Sequence, residues 1–426
     1  MAPFTSLRVT RAASPHPPIF LPMLALLLAL QAATAQHDAL RYDITLVPSD
    51  TGTHLLGEVE TLWRLASSDP VSVQLDSSMR VVRVLIDGRP NTRLSRTMYG
   101  RSEDDVLVPH QKRAGDSITT RVRYHGLARA GAKLGANRRG ERTFFATGRG
   151  DGAHFWLPVP EQPSLDRAAA AFRVQAPVAH RAIAAGSLEK VDTLPYGHAV
   201  WHYRMDDPAP IASLAVATGP YEVRSLTPGR CGDGCPAVEV WTYPGGGEPG
   251  ALGRAWEMVE FFAARAGRYP YGRLAFVEAP AGSTVAAPGI VFHPEGSPGD
   301  GGPADSILAL ETARQWFGLA ISPAGPADRW ITEGLARYLA SLWREPSGEL
   351  VGAGRRDSLP EELRGARALQ RVRGIIGDSA FFAGLTRFTR DRLNQSAARA
   401  DFVRSMSAAA GRDLDRDLQQ AFDRAK

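Results

Sequence analysis

Two short segments in the last third of the chain, residues 310–318 and 330–338, constrain its fold more than any other feature. Asp305 or Ser306 is placed to cap a helix carrying Glu311, which should end before Ser322-Pro323. A second helix is expected over residues 328–343, and it carries Glu333. Arg314 lies one turn beyond Glu311 on the same helix face, and eighteen residues separate it from Glu333. An ordinary amphipathic helix would explain Glu311 alone. It would not explain the paired spacing or the run Gln315-Trp316-Phe317-Gly318 between the two helices.

Glu311, Gln315, Trp316, Phe317, Gly318, Trp330, Glu333, Gly334, Ala336 and Tyr338 together resemble the pattern of the gluzincin aminopeptidases, peptidase family M1 of the membrane alanyl aminopeptidase type. That pattern is H-E-x-x-H-Q-W-F-G followed by W-x-x-E-G-x-A-x-Y. Two imidazoles and a glutamate hold zinc there, and the Glu of the first motif is the general base. By this resemblance Glu311 takes the base position and Glu333 the third-ligand position. Leu310 and Arg314 stand where the two histidines would be. The metal chemistry is therefore expected to be lost and both glutamates vestigial, with no cofactor bound.

Three checks do not depend on alignment register. The last histidine is His293, so the 133 residues beyond it contain none. His293 with two carboxylates would be an unusual zinc site. The family recognises the substrate's α-amine through a Glu on a G-x-M-E-N strand. Ala286 holds that position here, and residues 279–294 contain no acid. The family's oxyanion-stabilising tyrosine lies in a Y-x-K-G segment, a donor of the kind that carries a large share of catalysis. Its counterpart is Glu362-Leu363-Arg364-Gly365, an acid in place of the phenol, and no tyrosine follows Tyr338. Glu311 and Glu333 facing one cavity would repel, and burial would raise at least one pKa. The guanidinium of Arg314 is expected to fill the metal's space and pair with Glu333 or Glu311; the alternative is that it snorkels to water.

The first 35 residues have the form of a signal peptide: Arg8 and Arg11, an apolar run over 19–30, and Ala33-Thr34-Ala35 before Gln36. The run is too short to span a bilayer. A periplasmic or secreted protein without a membrane span is expected. Removing this segment takes away two arginines and no acids, so the formal charge falls from +5 to +3. No basic run suggests nucleic-acid binding. Arginine greatly outnumbers lysine, which the sequence explains only as a bias of composition. Cys231 and Cys235 are expected to form a local disulfide in an exported protein, the alternatives being free or metal-bound thiols.

The fold class expected is α+β. An amino-terminal antiparallel β-domain would cover residues 36–228, and a thermolysin-like, mainly helical domain residues 236–426. Tyr42, Ile44 and Leu46 alternate with polar residues, as do Val71, Val73 and Leu75, and Ile118, Thr120, Val122 and Tyr124. In the second part, helices are expected over 254–266 and from 361 onward, and a loop over 295–305; residues 377–382, from Gly377, resemble a helix junction of the family. The leading functional reading is a non-catalytic pseudopeptidase whose interdomain cleft still takes a peptide or protein segment along the strand 285–292, where Pro288 would remove a backbone donor. The alternatives are a hydrolase with altered chemistry and a structural or assembly protein.

Overall fold

Polar–apolar alternation sets the first half of the molecule. The computed structural model describes residues 36–90, 95–96, 104–228, 235–245, 250–296, 302–345 and 360–423. The expected signal peptide lies outside these residues, as does Cys231; Cys235 is disulfide-bonded. An eight-stranded sheet runs in the order Ser187–Leu194, His198–Pro210, Arg167–Pro177, Asp38–Pro48, His54–Arg64, Ser117–Leu127, Met79–Ile86, Arg89–Pro90. All its pairings are antiparallel except Asp38–Pro48 with Arg167–Pro177. A four-stranded and a three-stranded sheet complete this part. The alternating residues named from sequence, from Tyr42 to Tyr124, are buried, and they pack around Trp63 and Trp156. Gly57 is fixed by this packing: a Cβ there would lie 2.2 Å from the Tyr124 ring.

Asp166 precedes the strand Arg167–Pro177, and its Oδ2 accepts the Ala39 N–H at 3.3 Å. Burial pushes this carboxyl up to about 7, with Asp38 adding to the shift and the Ala39 and Arg167 N–H groups opposing it. The folded chain thus holds this proton more tightly than the unfolded chain, where an Asp titrates near 3.9. The resulting stabilisation is full below the unfolded pKa and is lost as pH rises through about 7. Asp166→Asn should therefore gain about 1–3 kcal/mol on the wild type between pH 5 and pH 8 in urea unfolding. An equal difference at the two pH values would refute the assignment.

The second half is built on a five-stranded sheet in the order Glu222–Ser225, Ala237–Thr242, Arg273–Ala279, Ile290–Pro294, Val285–Ala287. The short strand Glu222–Ser225 pairs into this sheet, so the chain passes from one half to the other near Tyr221. Among the described residues six α-helices follow or cover it: α1 (Ala255–Ala266), α2 (Gly302–Ala313), α3 (Arg329–Arg344), α4 (Glu361–Arg392), α5 (Arg399–Ala410) and α6 (Asp415–Asp423). The expected junction in α4 is present, since Gly377 leaves the helix at φ 80°. α2 begins at Gly302, inside the segment expected to be a loop, so Asp305 sits in its first turn rather than capping it. Its side chain instead accepts from the Trp343 indole at 3.3 Å. α3 and α4 cross closely at two glycines, where a Cβ on Gly334 would meet the Gly365 Cα at 2.8 Å.

Arginines clamp the two halves together by donating to backbone carbonyls. Arg167 reaches the carbonyls of Leu319 and Ala320 and the Ser322 hydroxyl. Arg273 reaches back to Ala184 and Gly186, and Arg139 to Tyr243 and Pro244. An apolar seam lies beside them, with Phe145 and Phe292 at 5.1 Å between ring centroids. A forked guanidinium serves several carbonyls from one site. Part of the arginine excess thus has a structural use that composition did not reveal.

Candidate functional site

α2, the turn that follows it and α3 deliver Glu311, Arg314 and Glu333 to one cavity of about 380 Å³. Ala286 of the edge strand lines it from the sheet side, and Arg149 and Ser213 line it from the β-rich half. Its volume falls in the range of ligand pockets. A larger hollow of about 660 Å³ around Arg399, Val403 and Asp415 contains none of the residues singled out from sequence.

Glu311 is only 3% exposed, and its Oε1 receives Arg314 Nη1 at 2.5 Å. Arg149 Nη1 lies 3.5 Å from the same oxygen and donates to the Thr284 carbonyl at 2.5 Å. Oε2 of Glu311 is buried without a partner. Glu333 takes no side-chain hydrogen bond from a described residue. Burial raises its pKa; Glu362 and Glu361 add to the shift, while Arg314 and Arg329 oppose it. Of the two partners open to Arg314, the structure selects Glu311. The choice follows from helix geometry: Arg314, one residue past α2, still donates its N–H to the Leu310 carbonyl at 2.9 Å, so it stays on the face of Glu311 three residues back, whereas Glu333 lies on another helix. Arg314 is 19% exposed, so it does not snorkel to water.

Other candidates point elsewhere. Leu310 packs against the helical core. Glu362 accepts from Arg337 at 2.9 Å and does not line the cavity. His293 is buried on its strand, its Nδ1 3.0 Å from the Pro294 carbonyl oxygen and its Nε2 without a partner, and burial lowers its pKa. It does not line the cavity either. Pro288 does not interrupt the edge strand as expected: it lies with Gly289 (φ 73°) in the turn between Val285–Ala287 and Ile290–Pro294.

Sequence reading gave Arg149 and Arg329 no part in this site. Neither carries a local signal, since Arg149 follows a strand of the other half and Arg329 opens α3. The reason for the Gln-Trp-Phe run was also hidden. Gln315 is fully buried; its Oε1 accepts from the Gly289 N–H at 2.9 Å and the Tyr269 hydroxyl at 3.4 Å. Its Nε2 donates to the carbonyls of Ala287 and Ile290. The side chain thus pins the edge hairpin to the end of α2. Trp316 Nε1 donates to the carbonyls of Gly267 and Arg268, and the Phe317 ring stacks on Phe388. These residues build the frame of the cleft.

Among the described residues, one group of three His, Cys, Asp or Glu side chains brings its donor atoms together: Asp76, Asp104 and His154, in the β-rich half. Arg129 already contacts both oxygens of Asp76 there. The described residues of the cleft hold no such group.

No protein-family model matches the chain, and no curated relative does. Solved structures do. An M1 zinc metallopeptidase from Deinococcus radiodurans, in a mutant bound to a Tyr-Ser-Ala substrate, superposes with a TM-score of 0.74 at 23% identity, covering 91% of this chain and 94% of that one. The same organism's M1 zinc metallopeptidase without the mutation gives 0.73 at 23% identity, covering 91% and 93%. A two-domain M1 zinc metallopeptidase mutant bound to L-arginine gives 0.73 at 22% identity, covering 92% and 94%. The fold is that of the two-domain M1 metallopeptidases. At this identity the likeness is one of fold, and the M1-like arrangement of β-rich half, five-stranded sheet and helices agrees with the sequence expectation.

Proposed function

We propose that this protein is an exported, M1-like peptide-binding protein that does not hydrolyse what it binds. The observation that carries this reading is the pairing of Glu311 with Arg314. Two guanidiniums, those of Arg314 and Arg149, converge on the carboxylate at the general-base position. Leu310 offers no donor atom and packs into the core, so Glu333 is the one ligand of the zinc pattern left in the cleft. A zinc ion held by one carboxylate beside an arginine does not fit the three-ligand rule of catalytic sites.

Peptide binding is supported by the sheet edge. Val285–Ala287 is the last strand of its sheet and borders the cavity at Ala286. An added strand needs only backbone groups there. Among the described residues no helix is long and apolar enough to cross a membrane. Export is proposed on residues 1–35 alone.

The test joins metal analysis with binding. The purified mature chain, exposed to zinc and then dialysed, is expected to retain no stoichiometric metal. It should bind short peptides in calorimetry and release no amino acids from them. One tightly held zinc per chain together with peptide cleavage would overturn this reading in favour of a metallopeptidase. A lack of peptide binding, with a stable protein partner, would favour an assembly role.

A further inference from the structure

We propose that the cleft selects peptides by a carboxylate, docked on the guanidiniums of Arg149, Arg314 and Arg329; this rests on the peptide-binding reading above. Three arginines and two glutamates line the cavity, and one of those glutamates is already consumed. Glu311 is buried and takes both Arg314 and Arg149 on Oε1. Every side-chain hydrogen bond that these two arginines make to described residues leaves from Nη1. A guanidinium has five N–H donors in a fixed fork, so the Nε and Nη2 groups remain for a ligand. Arg329 makes no side-chain hydrogen bond or ion pair to a described residue. Its exposed position at the start of α3 places a third cation on the same cavity.

The position of Arg149 sets where the carboxylate would bind. Its tie to the Thr284 carbonyl holds it immediately before the edge strand Val285–Ala287. A peptide added along that edge therefore meets a guanidinium at the Thr284 end. Nothing on the strand side competes for the opposite charge, because residues 279–294 contain no acid. Glu333 is the one remaining carboxyl that could attract an ammonium. Its burial favours the neutral acid, against the opposing charges of Arg314 and Arg329. Paired, forked donors match a carboxylate bidentately, which is the strong form of such contacts.

Both an α-carboxylate and an acidic side chain carry this chemistry. The test is isothermal titration of the full mature chain with trialanine, its carboxy-terminal amide, its N-acetyl form, and an amidated tripeptide with a central Glu. Amidation should weaken binding at least tenfold, as expected for loss of a charge-assisted pair. N-acetylation should change affinity less than about threefold. Recovery with the central Glu assigns the site to side-chain carboxylates as well; no recovery confines it to the chain terminus. Arg329→Gln, an exposed change that should leave the melting temperature unaltered, is expected to weaken trialanine about three- to tenfold and to flatten its salt dependence. Equal affinity for the free acid and the amide would overturn the proposal while leaving peptide binding intact. Binding abolished by N-acetylation but not by amidation would overturn it in favour of an ammonium site. No binding of any of the four peptides would overturn both this proposal and the reading beneath it.

Discussion

Replacing Gln315 with leucine is expected to cost about 3–5 kcal/mol of folding stability, since each buried group left without its partner costs about 1–3 kcal/mol. Leucine fills nearly the same space but neither donates nor accepts. The Gly289 N–H and the carbonyls of Ala287 and Ile290 lose the amide that serves them, while the Tyr269 hydroxyl keeps the Arg273 carbonyl at 3.1 Å. The edge hairpin would also lose its tether to α2, so peptide affinity should fall along with stability. Urea unfolding reads the first effect and peptide titration the second. A stability within about 0.5 kcal/mol of the wild type, the range of an inconsequential surface change, would show that the amide is not the clamp described.

Arg314→Ala should cost about 2–4 kcal/mol, because it strips a buried carboxylate of its closer cation. Arg149, at 3.5 Å and 45% exposed, would remain as a weaker partner. The signature of the mechanism is recovery. In a chain that already carries Glu311→Gln, the same Arg314→Ala change should cost about 1–2 kcal/mol less, a coupling expected of residues in direct contact. Equal costs in the two backgrounds would show that the pair contributes shape rather than charge. An unchanged melting temperature for Arg314→Ala alone would remove the physical basis of the pseudopeptidase reading.

The two changes separate two functions of one motif. Gln315, Trp316 and Phe317 hold helix, hairpin and core in place, whereas on the function proposed above Leu310 and Arg314 stand where a metallopeptidase would place metal ligands. Gly334 belongs with the first set, for it lets α3 and α4 approach to contact. No chemistry is required to explain its presence.

Local spacing determined a great deal. Alternation named strands whose inward residues, from Tyr42 to Tyr124, are buried in the structure. Helical periodicity located Glu311 and Glu333 on consecutive helices and brought Arg314 onto the face of Glu311. Counting residue types showed that no histidine follows His293. Each of these is a short-range property, fixed by the 2-residue and 3.6-residue repeats of the backbone or by composition alone. Only the tertiary structure decided which groups meet across long stretches of chain. Arg149 reaches Glu311 from 162 residues away, Glu362 turns to Arg337 rather than the cavity, and Gln315 closes on a hairpin that precedes it. These contacts depend on how the sheets and helices pack against one another, and no periodicity in the sequence encodes that packing.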